Sequence, residues 1–232
     1  MKVASNVIPF NPLERKHLGG SVAQAMLAQT PQPLATLPRF EGAGIYAIYY
    51  TGPLACYAAL GAANRDGRFA LPIYVGKAVP EGARIGGGTG EAGVDLYKRL
   101  KEHAKSVAQA ENLDAADFHC RYLVVEDIWI PLGESLLIAK FAPVWNTTVA
   151  GFGHHNPGSG RRAGAKPRWD QLHPGRPWVA SLAAQPVSAE EIAREAESYL
   201  RDFTMPTSQL VEVAPQMPIP PVVAFSNDET NV

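Results

Sequence analysis

The chain has 232 residues, of which 46% are hydrophobic and 19% charged, with a formal net charge of −1. Such values suit one domain with appendages and exclude wholesale disorder, and a chain of this length buries roughly 70% of its unfolded surface without needing disulfide staples. Cys56 and Cys120 make neither a disulfide framework nor a C-x-x-C pair, which fits a reducing cytoplasm. The opening MKVASNVIPFNPLERKHL has no apolar core, so no secretory leader is expected, and no run reaches the roughly 18 apolar residues of a membrane span.

Charge is spread unevenly. Residues 140–186 carry six basic side chains (Lys140, Arg161, Arg162, Lys166, Arg168 and Arg176) against one acidic, Asp170. Residues 187–232 carry two basic and eight acidic side chains. A basic block of this kind attracts a polyanion even on a nearly neutral chain. Its bland alternative is a solvated loop.

In chain order, Asn11 reads as an N-cap with Pro12 at the first helical position, followed by an apolar face of Leu13, Leu18, Val22, Met26 and Leu27 that Gly19 and Gly20 weaken. Residues 30–43 read as a proline-rich linker. GIYAIYY, 44–50, is β-branched and aromatic and predicts a buried strand; LPIYVGK, 71–77, predicts a second. The residues between them read as a long irregular connection. The glycine-rich stretch 80–93 predicts a loop. A helix is expected from about 94 to 111 with Leu96, Leu100, Ala104, Val107 and Ala108 inward, then a strand over 119–127 and a short helix over 131–141 that ends before Pro143. The basic stretch 146–178 has no clear periodicity and reads as loop. Ser188, with Glu191 as its capping-box partner, opens a helix over 188–203, and 204–232 reads as a Pro-rich tail.

One polar set stands out among these elements. Gly44-Ile45-Tyr46 and Tyr74-Val75-Gly76 lie on the two predicted strands, where period-2 alternation lets Tyr46 and Tyr74 share a face. Arg99 and His103 are spaced i, i+4 on one helix face. Glu134 follows on the next helix, and Asn146 begins the basic stretch. Taken singly, each has an ordinary structural reading: core tyrosine, solvated helix face, helix cap. Tyr50 shares the Tyr46 face by strand parity and is a second candidate for the functional hydroxyl.

Together, GIY, YVG, the Arg99/His103 pair in LYKRLKEHAKS, Glu134 in LGESLLI and Asn146 in PVWN resemble the GIY-YIG nuclease superfamily over roughly residues 40–148. YVGKA, GES, the FNPL helix and the basic loop resemble its small type II restriction endonucleases. The connection between the two motif strands is longer than the family's usual short loop and reads as an insertion.

The resemblance implies an α/β (α+β) fold: a small antiparallel-rich sheet flanked by helices, in a single domain. That domain would comprise an N-terminal helix and linker (1–42), a nuclease core (43–148), a basic DNA-contacting loop (149–186) and a C-terminal helix with tail (187–232). It implies phosphodiester hydrolysis with Mg²⁺ (Mn²⁺ as substitute) anchored by Glu134, since a hard divalent ion accepts one carboxylate plus waters and phosphate. Arg99 would neutralise phosphate charge, Tyr46 would act as general base once nearby cations lowered its pKa, and His103 would relay its proton. Tyr74 would bind water or a phosphate oxygen, Lys77 would add positive charge, and Asn146 would fix the metal-bearing helix end or a phosphate.

DNA contacts are expected from Arg65, Arg68, Arg84, His154, His155, Arg161, Arg162, Lys166 and Arg168. The implied partners are double-stranded DNA, a second copy in a homodimer, and a cognate DNA methyltransferase in a prokaryotic cytoplasm. The implied site is a GC-rich palindrome such as CCGCGG. A repair or structure-specific nuclease and a non-catalytic DNA-binding module on the same scaffold are the alternatives. IGGGTG lacks the G-K-[ST] of a phosphate loop, and His154, His155 and His173 lack the spaced cysteines of a zinc site.

Overall fold

A computed structural model of the chain describes residues 14–80, 93–156 and 164–202. Four strands, β1 (Gln32–Pro33), β2 (Gly44–Tyr50), β3 (Tyr74–Ala78) and β4 (Phe118–Val124), form one antiparallel sheet in the order β1-β4-β2-β3. Among the described residues six helices flank it: α1 (Arg15–Leu27), α2 (Ala58–Asn64), α3 (Asp95–Gln109), α4 (Ile130–Phe141), α5 (Arg168–Leu172) and α6 (Ala189–Asp202). The expected mixed α+β architecture is present. No helix among the described residues is long and apolar enough to cross a membrane.

All seven residues of β2 are buried, because it is an interior strand covered on both faces. Ile45, Ala47 and Tyr49 face a cluster with Met26 of α1 and Ile130, Leu137 and Phe141 of α4. Tyr46, Ile48 and Tyr50 face a larger cluster that includes Leu96, Leu100 and Val107 of α3 together with Trp145, Phe152, Trp169 and Ile192. Gly19, expected to weaken α1, sits where α1 meets α4; a Cβ there would lie 2.9 Å from Leu136 Cγ. Close packing explains the glycine.

Several expectations are corrected. Asn11 and Pro12 lie outside the described residues, and α1 is seen from Arg15, after a Glu14 whose side chain makes no cap bond. The linker contains β1, paired with Cys120 and His119. The second motif strand starts at Tyr74, not 71, because Pro72 lacks an N–H and the Asn64 amide takes both main-chain groups of Leu71, at 2.9 and 2.8 Å. The connection 51–70 is not irregular: a 3₁₀ turn (Ala55–Tyr57) runs into α2, and Tyr57 and Leu60 enter the core. In α3, Ala108 is exposed and His103 is buried instead. β4 ends at Val124.

The described part of 146–178 is not loop throughout: Phe152 and Trp169 are 1% and 0% exposed, and α5 and a 3₁₀ turn (Pro177–Ser181) lie in or overlap it. Ser188 caps α6 as expected, accepting from the Glu191 N–H at 3.1 Å. Residues 81–92 and the 204–232 tail fall outside the described residues.

Candidate active site

The site forms around β3, which lies at one end of the sheet order. Register pairs Tyr46 with Gly76 and Ile48 with Tyr74, so the two tyrosines are diagonal neighbours on one face, with ring centroids 6.2 Å apart. Gly76 is a packing requirement: a Cβ there would lie 2.6 Å from Tyr46 Cζ and 3.0 Å from Tyr74 Cε1. Asn146 holds the strand in place. Its Oδ1 accepts from the Val75 N–H and its Nδ2 donates to the Val75 carbonyl, both at 2.8 Å, while Trp145 N–H donates to Ile73 O at 3.0 Å. The segment after α4 therefore takes up main-chain groups of the β3 region. Asn146 fixes β3 rather than a helix end.

Above the tyrosines, α3 contributes His103 and Arg99. Tyr46 Oη and His103 Nε2 are 2.6 Å apart, and both residues are buried. His103 stacks on Phe152 with centroids 4.4 Å apart and an angle of 20°. Arg99 donates to Gly153 O at 2.8 Å and to Glu102 at 3.0 Å, and also pairs with His155 Nε2. Its charge acts on both Tyr46 and Tyr74. Below, Lys77 Nζ and Glu134 Oε2 form an ion pair at 2.6 Å. The Glu134 charge also acts on both tyrosines, so all these groups belong to one electrostatic site.

Burial sets the protonation states. It raises Tyr46 well above the usual phenol value; Tyr74 adds to the rise, and Arg99 opposes it without prevailing. The expected lowering by nearby cations is thus outweighed. Burial, then Arg99, His155 and Arg176, push His103 well below the ordinary imidazole value. Both partners rest neutral. Burial works against the charge of Arg99, but the facing Tyr46 and Glu102 more than compensate, and its pKa is raised.

Tyr50 is not a rival base. Its hydroxyl accepts from the Leu54 N–H at 3.0 Å and packs against Tyr57 and Phe118. His173 is a second buried histidine. Asn112 Nδ2 donates to Leu172 O at 2.9 Å, which turns its Oδ1 toward His173 Nδ1 at 2.9 Å. His173 Nε2 therefore accepts from Tyr57 O–H at 2.8 Å, and Trp145 Nε1 donates to the same hydroxyl at 2.8 Å. That network is closed and structural.

The expected DNA contacts divide. Arg84, Arg161 and Arg162 lie outside the described residues. Arg65 donates to Thr51 O at 3.2 Å and Gly52 O at 3.4 Å; Arg68 donates to Arg65 O at 3.1 Å and to Ala62 O, and lies 3.6 Å from Asp66. Both serve the 51–70 segment. Arg168 donates to Thr148 O at 2.8 Å and pairs with Glu195, tying α5 to α6. Lys166 is half-buried, and its main chain bonds Ala183 and Gln185. His154 and His155 are exposed, and His155 flanks Arg99. Arg176, counted in the basic block, is buried on Asp170. Sequence reasoning missed Phe152, Gly153 and Glu102 as site neighbours. Phe152 and two tryptophans, Trp169 and Trp178, inside the stretch read as loop were the available signal.

One carboxylate, part-exposed and with its charge acting on Tyr46 and Tyr74, suits a hard divalent ion that keeps most of its waters. No group of three or more His, Cys, Asp or Glu able to hold a metal is found among the described residues.

Tyrosines from paired GIY and Y-x-G strands, an Arg/His helix and a glutamate on the next helix, all meeting at one sheet edge, define a GIY-YIG nuclease. Residues 38–200, more than half the chain, match the family described as the Eco29kI GIY-YIG domain, a type II restriction endonuclease family, and the chain belongs to it. It is therefore a restriction-endonuclease-like nuclease with DNA as substrate. No curated protein matches the chain.

Proposed function

We propose that this protein is a type II restriction endonuclease that makes site-specific double-strand breaks as a homodimer, using Mg²⁺ held by Glu134. A two-fold dimer presents two sites to the two strands of a palindrome, and the family resemblance favours a GC-rich one such as CCGCGG, protected in the host by a cognate methyltransferase. The observation that carries the reading is the convergence of Tyr46, Tyr74, Arg99, His103, Glu134 and Lys77 from β2, β3, α3 and α4 on one sheet edge, with Tyr46 and His103 at hydrogen-bond distance.

Both members of that pair rest neutral, and this favours a relay over a free phenolate base. Tyr46 takes a proton from water as its own hydroxyl proton passes to His103 Nε2. The hydroxide attacks phosphorus, the bond to the leaving 3′-oxygen breaks with its electron pair on that oxygen, and the oxygen takes a proton from solvent water while His103 returns its own to solvent. No phenolate accumulates, so the burial that raises Tyr46 is not paid in full. Arg99, which stays charged, offers a fork of donors to the phosphate oxygens. Tyr74 orients the water, and Asn146 holds β3 so that both tyrosines keep their places. Bound at Glu134, the ion would supply positive charge at the phosphate and the leaving oxygen.

Incubation of plasmid DNA with the protein and Mg²⁺ tests the reading. Discrete fragments, lost in Glu134→Ala while DNA binding persists, are expected. A smear would indicate a nuclease without site specificity, and intact DNA a binding module.

A further inference from the structure

Arg176 is 4% exposed and Asp170 2%, and the two form an ion pair in the core beneath the active site. The guanidinium lies over two tryptophan rings, 4.6 Å from the Trp169 centroid and 4.9 Å from that of Trp178. Its remaining donors reach three main-chain carbonyls of one short segment: Phe152 O at 3.1 Å, His154 O at 3.2 Å and Gly151 O at 3.2 Å. A buried cation with this many directed partners is expensive to place unless each is satisfied, as here they are.

The segment it grips is the one that meets the catalytic pair. Phe152 stacks on His103 at 4.4 Å and also contacts Tyr74, with centroids 5.1 Å apart. The one carbonyl between Gly151 and His154 that Arg176 does not take, Gly153 O, accepts from Arg99 at 2.8 Å. His155 pairs with Arg99 from the same segment. Gly153 also has no space for a side chain, since a Cβ would lie 2.6 Å from the Tyr74 hydroxyl. Two arginines therefore hold residues 151–155, Arg176 through three carbonyls and Arg99 through the fourth and His155.

We propose that Arg176 is a positioning residue for the hydrolytic site: anchored by Asp170 and the Trp169/Trp178 pair, it fixes residues 151–155 and, through Phe152 and Gly153, sets the His103 ring and the Arg99 guanidinium. The proposal rests on the reading of Tyr46 and His103 as the proton-relay pair. A proton relay tolerates little displacement, and a shift of about 1 Å at reacting groups costs on the order of 10²-fold in rate.

Single-turnover cleavage and metal-free DNA affinity are measured for Arg176→Gln, Phe152→Leu, the double variant and, as reference, His103→Ala. Phe152→Leu keeps an apolar side chain in the core and covers the case in which Arg176→Gln fails to fold. Folded variants are expected to cut about 10–100-fold more slowly with DNA affinity within about twofold of wild type, and the double variant no more slowly than the worse single one. A slow His103→Ala beside a wild-type rate in Phe152→Leu overturns the positioning role alone. Loss of affinity in step with rate also overturns it, because the segment would then be a DNA contact. A wild-type rate in His103→Ala overturns the relay itself, and the positioning role with it.

Discussion

The Glu134 carboxylate is already partnered: Lys77 holds Oε2 at 2.6 Å, with side-chain exposures of 19% and 39% respectively. A divalent cation bound there has to take that oxygen from an ammonium. A part-exposed pair of this kind is worth about 0–1 kcal/mol, so Lys77→Gln should bind Mn²⁺ up to about fivefold more tightly by calorimetry, and Glu134→Gln should lose binding. The same Lys77→Gln variant should cut more slowly, because the displaced ammonium is then free to approach phosphate in the wild type. Unchanged Mn²⁺ affinity in Lys77→Gln would mean that the two ligands do not compete. That Tyr46, Tyr74, Arg99, His103 and Glu134 come together was legible in the sequence because each sits in a short motif at fixed spacing. Their protonation was not. That Tyr46 stays neutral follows from a burial that residues distant in the chain, Phe152 among them, help to create.

At the level of elements, β3 is where sequence and site meet. Gly76 faces Tyr46 across the β2–β3 pair, and Asn146 occupies both main-chain groups of Val75. Gly76→Ala should leave a folded protein that binds DNA but has lost most cleavage, since the added methyl must displace the Tyr46 ring; near-normal cutting by a folded Gly76→Ala would show that the ring has room to move. The interior strands and long helices were readable from periodicity, because β2 and α3 carry their patterns within themselves. β1, α2 and α5 were not. Each is short and exists because of distant partners: β1 through Cys120 and His119, α2 through Asn64 binding Leu71 and Tyr50, and α5 through Arg168 tied to Glu195. The basic block misled for a related reason. Its net charge suggested solvent and DNA, yet Arg176 spends its charge on Asp170 and Arg168 on Glu195.

At the scale of the molecule, the sheet separates two cores among the described residues, and the larger one buries two histidines, His103 and His173, in the neutral form. Burial pushes His173 down to about 3 and holds His103 well below the usual imidazole value. The unfolded chain takes up these protons near the ordinary imidazole value of 6.5, so acid favours unfolding. The stability held by each neutral histidine is fully present above that value and is lost as pH falls toward the folded value, at about 1.4 kcal/mol per pH unit. Urea unfolding between pH 6.5 and 4 should show this slope, and His173→Gln should flatten it by about one proton whatever its effect on stability at neutral pH; an unaltered slope would place the acid sensitivity elsewhere. The central claim is that Tyr46 moves the proton that activates water. Its most direct test is single-turnover cleavage of DNA by Tyr46→Phe in Mg²⁺, a change of one oxygen that keeps the ring on Gly76. The expected result is a rate lower by about 10²–10⁴ with the fold and DNA affinity intact; a folded Tyr46→Phe that keeps more than about a tenth of the wild-type rate would contradict it.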